Sequence, residues 1–257
     1  MNVLEDAGRD AIGFFEYAGG VANLLVEAAG FAGRLKIRVQ ETLNQAYYLG
    51  VGSWSIVLLT ALFTGMVFSF ESALQAVRYG FGNFVGGAVV YAVIRELGPM
   101  LTAVVVAGRA GAAIASEFGS MVVTEQIEAL EALGLSPVRM LVVPRLLALV
   151  VMLPVLTILG DLISTLGGMW IAQVYAHISY GSFIDSARQA LPIGDVARSL
   201  IKSLVFAVII AGIGSYQGFK TRGGAAGVGK ATTGSVVISI ILIFVFNFAL
   251  SAVLFGT

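Results

Sequence analysis

The sequence predicts an all-α integral membrane protein: about five transmembrane helices, an N-terminal interfacial helix and a cytoplasmic helix between two of the spans. Three observations predict it. Charged residues make up only 12% of the 257 residues, about half the share in soluble domains. Mean hydropathy is +0.94. Apolar runs long enough to cross a hydrocarbon core, which takes about 20 residues, recur along the chain with short polar segments between them. Composition also excludes. Formal net charge is zero, so nothing argues for nucleic acid. There is no cysteine and one histidine, His177, so disulfides, cysteine-metal sites, a histidine metal centre and a Ser/His triad are not expected. The first residues, MNVLEDAGRDAIG, place acids before any apolar run, unlike a cleaved signal peptide.

Residues 1–41 mix charges with Phe14, Phe15, Tyr17, Leu24, Leu25, Val26 and Phe31. That mixture predicts a helix lying along the membrane and closed by Arg34, Lys36 and Arg38. The first span is expected over Gln45–Phe70, with Tyr47, Tyr48 and Trp54 near one interface. The second runs from about Tyr79 to Ala107. Gly82 and Gly86 give it small-xxx-small spacing for a close neighbour, and Pro99 can kink it. A third span begins within LVVPRLLALVVMLPVLTILG and reaches about Tyr175, with Pro144 and Pro154 suggesting bends. Residues 176–202 carry His177, Asp185, Arg188, Asp195, Arg198 and Lys202; they read as a small helix outside the membrane, on the far surface. The fourth span is expected over Ser203–Phe219 and the fifth from Ala231 to the last residue. No second soluble domain and no internal repeat are visible, so 1–257 reads as a single domain with its transmembrane core over 45–257.

Between the second and third spans lies a polar island, Glu117 to Pro137, with four acids and no base. Thr124 is placed to cap a short helix over about 124–134, with Glu125 in its first turn, where a carboxylate suits the helix dipole. Gly134 and Pro137 supply a stop. Glu125, Glu128 and Glu131 then share one side, and Ile127, Leu130 and Leu133 another. Lysines and arginines set the orientation. Arg9, Arg34, Lys36, Arg38, Arg109, Arg139, Arg145, Lys220, Arg222 and Lys230 fall on the island's side, and Arg78, Arg188, Arg198 and Lys202 on the other. The positive-inside rule puts the island in the cytoplasm.

Three groups of residues could carry chemistry. GAAGVGKA at Gly224–Ala231 imitates a phosphate-binding loop, but Ala231 lacks the hydroxyl that would hold magnesium and no strand precedes the loop. It reads as a flexible basic turn. Arg95 and Glu96 sit near the middle of the second span, where a lipid-facing charge costs about 2.5–3.5 kcal/mol or more. They must face protein, water or a polar headgroup, and as sequence neighbours they point in different directions. Asp161 follows Arg145 by sixteen residues, about 24 Å of helix. It reads as a residue satisfied locally by Ser164 and Thr165, or as an ion site shared with Glu96 in an ion-coupled carrier.

The run GSMVVTEQIEALEALGLSP, preceded by ELGPMLTAVVVAGRAGAAIASE, resembles the signature of the MlaE permease family, and the likeness extends from about Gln45 to the C-terminus. These are membrane subunits of ABC transporters that move phospholipids between inner and outer membranes and so maintain outer-membrane lipid asymmetry. The resemblance implies a homodimeric, multi-pass inner-membrane permease that is not itself an enzyme. Its partners would be cytoplasmic ABC ATPase subunits, a STAS-domain protein and a periplasmic ring of MCE-domain proteins. The island would be the coupling helix, with Glu125, Gln126, Glu128 and Glu131 meeting the ATPase, and Arg95 or Glu96 would lie near the lipid headgroup. A membrane scaffold without transport activity is the remaining alternative from pattern alone.

Overall fold

The computed structural model describes residues 3–33 and 38–256, without the side chains of residues 3–11 and Phe14. Arg9's side chain and the basic residues Arg34 and Lys36 therefore lie outside the described part. Every regular element is helical, and no strand occurs among the described residues. Five helical segments are long and apolar enough to cross a membrane: Val39–Arg78, Gly82–Val123, Val138–Ala176, Ile193–Phe219 and Gly224–Phe255.

The N-terminal helix α1 (Val3–Gly33) packs on the fourth segment. Tyr17 meets Tyr216 edge to face at 5.0 Å, and Leu24 and Ala28 enter the main core. The first segment comprises α2 (Val39–Gln45), a π-turn over Ala46–Gly50, a 3-10 turn and α3 (Trp54–Arg78). The second comprises α4 (Val85–Ala92), α5 (Gly98–Val106) and α6 (Ala112–Val123), joined by π-turns at Val93–Leu97 and Ala107–Gly111. After the short α7 (Gln126–Ala132), α8 runs unbroken from Val143 to Ala176, with Pro144 in its first turn and Pro154 inside.

Small residues set the closest approaches. α3 lies against α8 along a seam where a Cβ on Gly65 would meet the Ser164 carbonyl at 2.0 Å, and Ser69 Oγ donates to the Gly168 carbonyl at 2.7 Å. Such seams let helix backbones touch where lipid offers no hydrophobic drive. Gly86 does pack closely, as its spacing predicts, but against α9 (Tyr180–Ala190): a Cβ there would meet the Phe183 carbonyl at 2.0 Å. Gly82 meets only Val77 of its own connection. α9 is the expected small helix of the far side. Ser179 caps it, accepting from the Ser182 N–H at 3.2 Å, which satisfies one of the free donors of its first turn.

The largest departure from expectation follows α9. The fourth span does not begin at Ser203 but at Ile193, as α10 (Ile193–Phe219). Asp195, Arg198 and Lys202 are thus on a spanning helix, and Asp195 and Lys202 are fully buried. Asp195 falls in the helix's first turn, where the dipole favours an acid. The fifth segment, α11 (Gly224–Phe255), buries Gly227, Ala231, Ser235, Ser239 and Ile243 in one stripe of four-residue spacing. GAAGVGKA is thus the first two turns of α11 and not a flexible loop; only the few residues around Gly223 form the turn.

Two apolar cores result. The main one joins α5, α6, α8 and α10 around Phe118, Leu149, Leu153, Phe206 and Ile210. A smaller one joins the far ends of α3, α4, α8 and α9 around Val85, Val89 and Phe183.

Candidate functional site

Between the two cores the second segment carries Arg95 and Glu96, in the π-turn just ahead of Pro99. Pro99 has no N–H to return to the Arg95 carbonyl four residues back. Lys202 fills that gap, donating from Nζ to the Arg95 carbonyl at 2.7 Å. The same ammonium reaches Glu96 Oε1 at 3.1 Å, Asn247 Oδ1 at 3.2 Å and Ser251 Oγ at 2.6 Å. Asn247 and Ser251 in turn donate to Glu96, both at 2.7 Å. Glu96 is therefore held by α10 and α11 together.

Arg95 turns the other way, as sequence neighbours on a helix must. Its guanidinium pairs with Asp195 at 2.6 Å, donates to the Tyr91 hydroxyl, and lies over the Phe255 ring at 4.6 Å. Arg198 pairs with the second Asp195 oxygen at 3.0 Å. Three cations thus stand beside two carboxylates, leaving one positive charge in excess. Arg198 and Glu96 keep 45% and 41% of their side chains exposed while Asp195 and Lys202 keep none. The cluster is locked from behind and open at the front. It stands where α10 begins and α11 ends, at the end of the bundle opposite α7, and not at the middle of its span.

At the other end, α7 departs from the expected cap. Thr124 does not cap it: its hydroxyl donates back to the Ser120 carbonyl at 2.9 Å and accepts from Gln126 Nε2 at 3.0 Å. Glu125 is not in the first turn but precedes the helix, in left-handed backbone with φ of 59°. The predicted stop holds. Gly134 has φ of +71°, the Gly134 N–H donates to the Glu131 carbonyl and the Leu135 N–H to the Leu130 carbonyl, which together close the helix as a Schellman motif. Glu125, Glu128 and Glu131 are exposed and have no ion pair among the described residues. Ile127 and Leu130 are half-buried, whereas Leu133 stands 75% exposed, so the apolar stripe does not seat along its whole length.

Glu117 belongs to α6 and not to the island's helix. It pairs with buried Arg145 at 2.6 Å, and Arg145 lies over Phe118 at 4.6 Å. Glu117, Arg145, Arg38, Glu41 and Gln126 line a groove of about 600 Å³ beside α7. Arg109 fastens the first segment to the second through the Tyr48 carbonyl at 3.1 Å and Ser53 Oγ at 2.9 Å. Asp161 is not satisfied by Ser164 or Thr165: its Oδ1 is shielded and has no hydrogen-bond partner among the described residues. His177 is exposed and ends α8 with φ of 55°.

Sequence reasoning missed Asp195, Arg198, Lys202, Asn247 and Ser251. Two signals could have found them. Asp195, Ser199, Lys202 and Phe206 repeat at helical spacing and form one buried face of α10. Asn247 and Ser251 are polar residues four apart in an otherwise apolar span.

Comparison with known proteins agrees with this architecture. Residues 42–253 match the model of the family described as Permease MlaE. The chain is 44% identical over 220 residues, 86% of its length and 84% of the relative's, to a probable ABC transporter permease protein of Synechocystis sp.. It is 34% identical over 255 residues, 99% of its own length and 98% of the relative's, to a probable ABC transporter permease protein of Rickettsia typhi. It is also 39% identical over 220 residues, 86% of its length and 63% of the relative's, to the chloroplastic protein TRIGALACTOSYLDIACYLGLYCEROL 1 of Arabidopsis thaliana. With five membrane-crossing helices and a family match over most of its length, the chain belongs to the MlaE permease family and is a multi-pass membrane permease subunit.

Proposed function

We propose that this permease is the membrane subunit of an inner-membrane ABC transporter that moves phospholipids between the inner and outer membranes, maintaining outer-membrane lipid asymmetry. A partner ATPase drives it. Residues 1–257 act as one permease domain, and two copies form the transport unit. Two ATPases dock on the two α7 helices, with a STAS-domain protein on the same side and a ring of MCE-domain proteins on the opposite side. The observation that carries this reading is the charged cluster around Arg95 and Glu96. It has one cation in excess, Arg198 exposed and guanidinium groups suited to bidentate phosphate contact, as a headgroup station requires.

Three further features support the reading. Glu125, Glu128 and Glu131 are exposed, have no ion pair among the described residues and are placed to meet basic groups of an ATPase, with Gln126 bracing the turn beside them. α3 and α11 leave broad apolar faces exposed, including Phe63, Val67, Phe244 and Phe248, for lipid and a second copy. The coupling is a two-state equilibrium: nucleotide draws the ATPases together, and α7 passes that shift to α6 and α8, the helices on either side of it. An ion-coupled carrier is less well supported, because Glu96 is already saturated by Lys202, Asn247 and Ser251.

The test is purification from the native membrane in mild detergent, with mass spectrometry of the co-purifying chains and assay of ATP hydrolysis with and without phospholipid. An ATPase that co-purifies and responds to phospholipid is expected. A lone chain recovered under conditions that preserve complexes would overturn the proposal.

A further inference from the structure

A cavity of about 620 Å³ opens sideways between the Val93–Leu97 turn, α8, α9 and the start of α10. It is distinct from the Arg95–Glu96 cluster, which faces α10 and α11. Ile158, Leu162 and Leu166 line it as a ridge at four-residue spacing, and each is about half exposed. A ridge of this kind inside a span faces hydrocarbon. Two residues of the lining ionise, Asp161 and Arg188. Glu96, Glu117 and Asp195 each have a cationic partner; Asp161 has none among the described residues, and its Oδ1 is shielded without a hydrogen bond. Gly98 presses on that oxygen so closely that a Cβ would lie 1.6 Å from it, which keeps the carboxyl in place. Arg188 is exposed on α9 and also has no ion pair among the described residues.

An unmatched carboxyl within a span is costly, and such residues mark ligand paths when they face a cavity. Oδ1 is turned against Gly98, so a ligand in the cavity brings its ammonium to the other oxygen of the carboxylate and neutralises Asp161 there. Arg188 supplies the opposite charge, and a guanidinium suits phosphate. The size falls within the roughly 300–1,000 Å³ of small-molecule sites, and an apolar wall with a few polar groups is their usual make-up. Counting from Arg145, Asp161 lies about 24 Å along α8, in the far part of a hydrocarbon core about 30 Å thick. That is about 6 Å inside the far headgroup boundary, beside the upper chain of a far-leaflet lipid and within reach of a headgroup drawn into the cavity.

We infer that this cavity is a lateral binding site for an amine-bearing phospholipid of the phosphoethanolamine class. Asp161 receives the ammonium, Arg188 the phosphate, and the Ile158–Leu162–Leu166 ridge an acyl chain. The inference rests on the phospholipid reading above and adds a headgroup preference and a second station on each copy.

The full chain, reconstituted in nanodiscs of phosphatidylglycerol, is probed with a phosphatidylethanolamine carrying a photoreactive acyl chain, and the adducts are mapped by mass spectrometry. Adducts are expected on residues 158–166. Unlabelled phosphatidylethanolamine should compete at least fivefold better than phosphatidylglycerol. Asp161→Asn should bring that ratio close to one. Arg188→Gln, at an exposed position, should lower adduct yield several-fold, and Ala187→Trp, which fills the cavity, should abolish it. Adducts absent from α8, equal competition by the two lipids in the wild type, or an unchanged preference in Asp161→Asn would each overturn the inference, as would cross-linking of this ridge to a second copy of the chain. Lipid-stimulated ATP hydrolysis in the intact complex separates the two readings. Stimulation without α8 adducts removes this site alone. Adducts without any stimulation remove the transport reading and leave a lipid-binding site.

Discussion

Lys202 is fully buried and has four partners. Removing one member of a fully buried ion pair strands the other, at a cost of about 3–5 kcal/mol; Glu96 keeps 41% of its side chain exposed, so the cost here is smaller. Lys202→Met should therefore destabilise the permease by less than that, measured by thermal unfolding in detergent. Adding Glu96→Gln should recover most of the loss, because the second change removes the stranded charge; a double variant as unstable as the single one would show that packing, not charge, fixes Lys202. Gly98 makes a similar pair with Asp161. Gly98→Ala should lower the melting temperature, and Asp161→Ala in the same chain should restore most of it. At this scale the sequence was only half legible. Arg95 and Glu96 announce themselves as charges in a span, because lipid tolerates none unpaired. Their partners do not, since pairing links residues about a hundred positions apart, and hydropathy averages only neighbours. Lys202 beside Asp195 and Arg198 therefore looked like a segment in water.

Among the elements, α7 and α1 have separate tests. Glu128→Lys reverses charge at an exposed position without an ion pair among the described residues. It should release the ATPase or uncouple hydrolysis from lipid while leaving the folding stability within about 0.5 kcal/mol of wild type; normal ATPase binding and lipid stimulation would remove Glu128 from the contact. In α1, burial pushes the Tyr17 hydroxyl up to about 12 from its usual 10. The neutral phenol is the form the folded site favours. Its contribution is therefore fully present below pH 10, and falls away between about pH 10 and pH 12 as the released chain ionises first. Tyrosinate absorbance and melting temperature across that range, compared with Tyr17→Phe, check the sign: the phenylalanine variant should lose less stability on alkalinisation. The existence of α7 was legible because Gly134 and the acids punctuate it. Its start was not. Thr124 fits a cap by composition, yet α6 runs on to Val123 and turns the Thr124 hydroxyl back to Ser120.

For the whole molecule, the topology is testable because the chain contains no cysteine. Leu133→Cys beside α7 and Tyr180→Cys at the start of α9, both at exposed positions, should react from opposite sides. An impermeant maleimide applied to spheroplasts should label Tyr180→Cys and leave Leu133→Cys unlabelled until the membrane is opened. Labelling of Leu133→Cys in intact spheroplasts would invert the orientation that the lysines and arginines set. The five spans themselves were readable because a lipid-facing helix must be apolar over some thirty ångströms. The two-core arrangement, with a polar layer between, was not readable: it depends on α9 meeting α4 through Gly86 and on α10 starting ten residues earlier than its apolar run.

The stripe along α11 has a mechanical consequence. Gly227, Ala231, Ser235 and Ser239 have almost no side-chain rotamers to freeze, so that surface grips its neighbours without locking them. A shift by one step of the stripe, four residues or about 6 Å, would set small residue against small residue again. What distinguishes one register from the next is Ser235 Oγ donating to the Gly111 carbonyl at 3.3 Å, the buried Ile243, and the far end, where Asn247 and Ser251 hold Glu96. The last span is thus a largely smooth rod held by a few catches, and the chemistry of the polar ones decides whether the rod stays or slides.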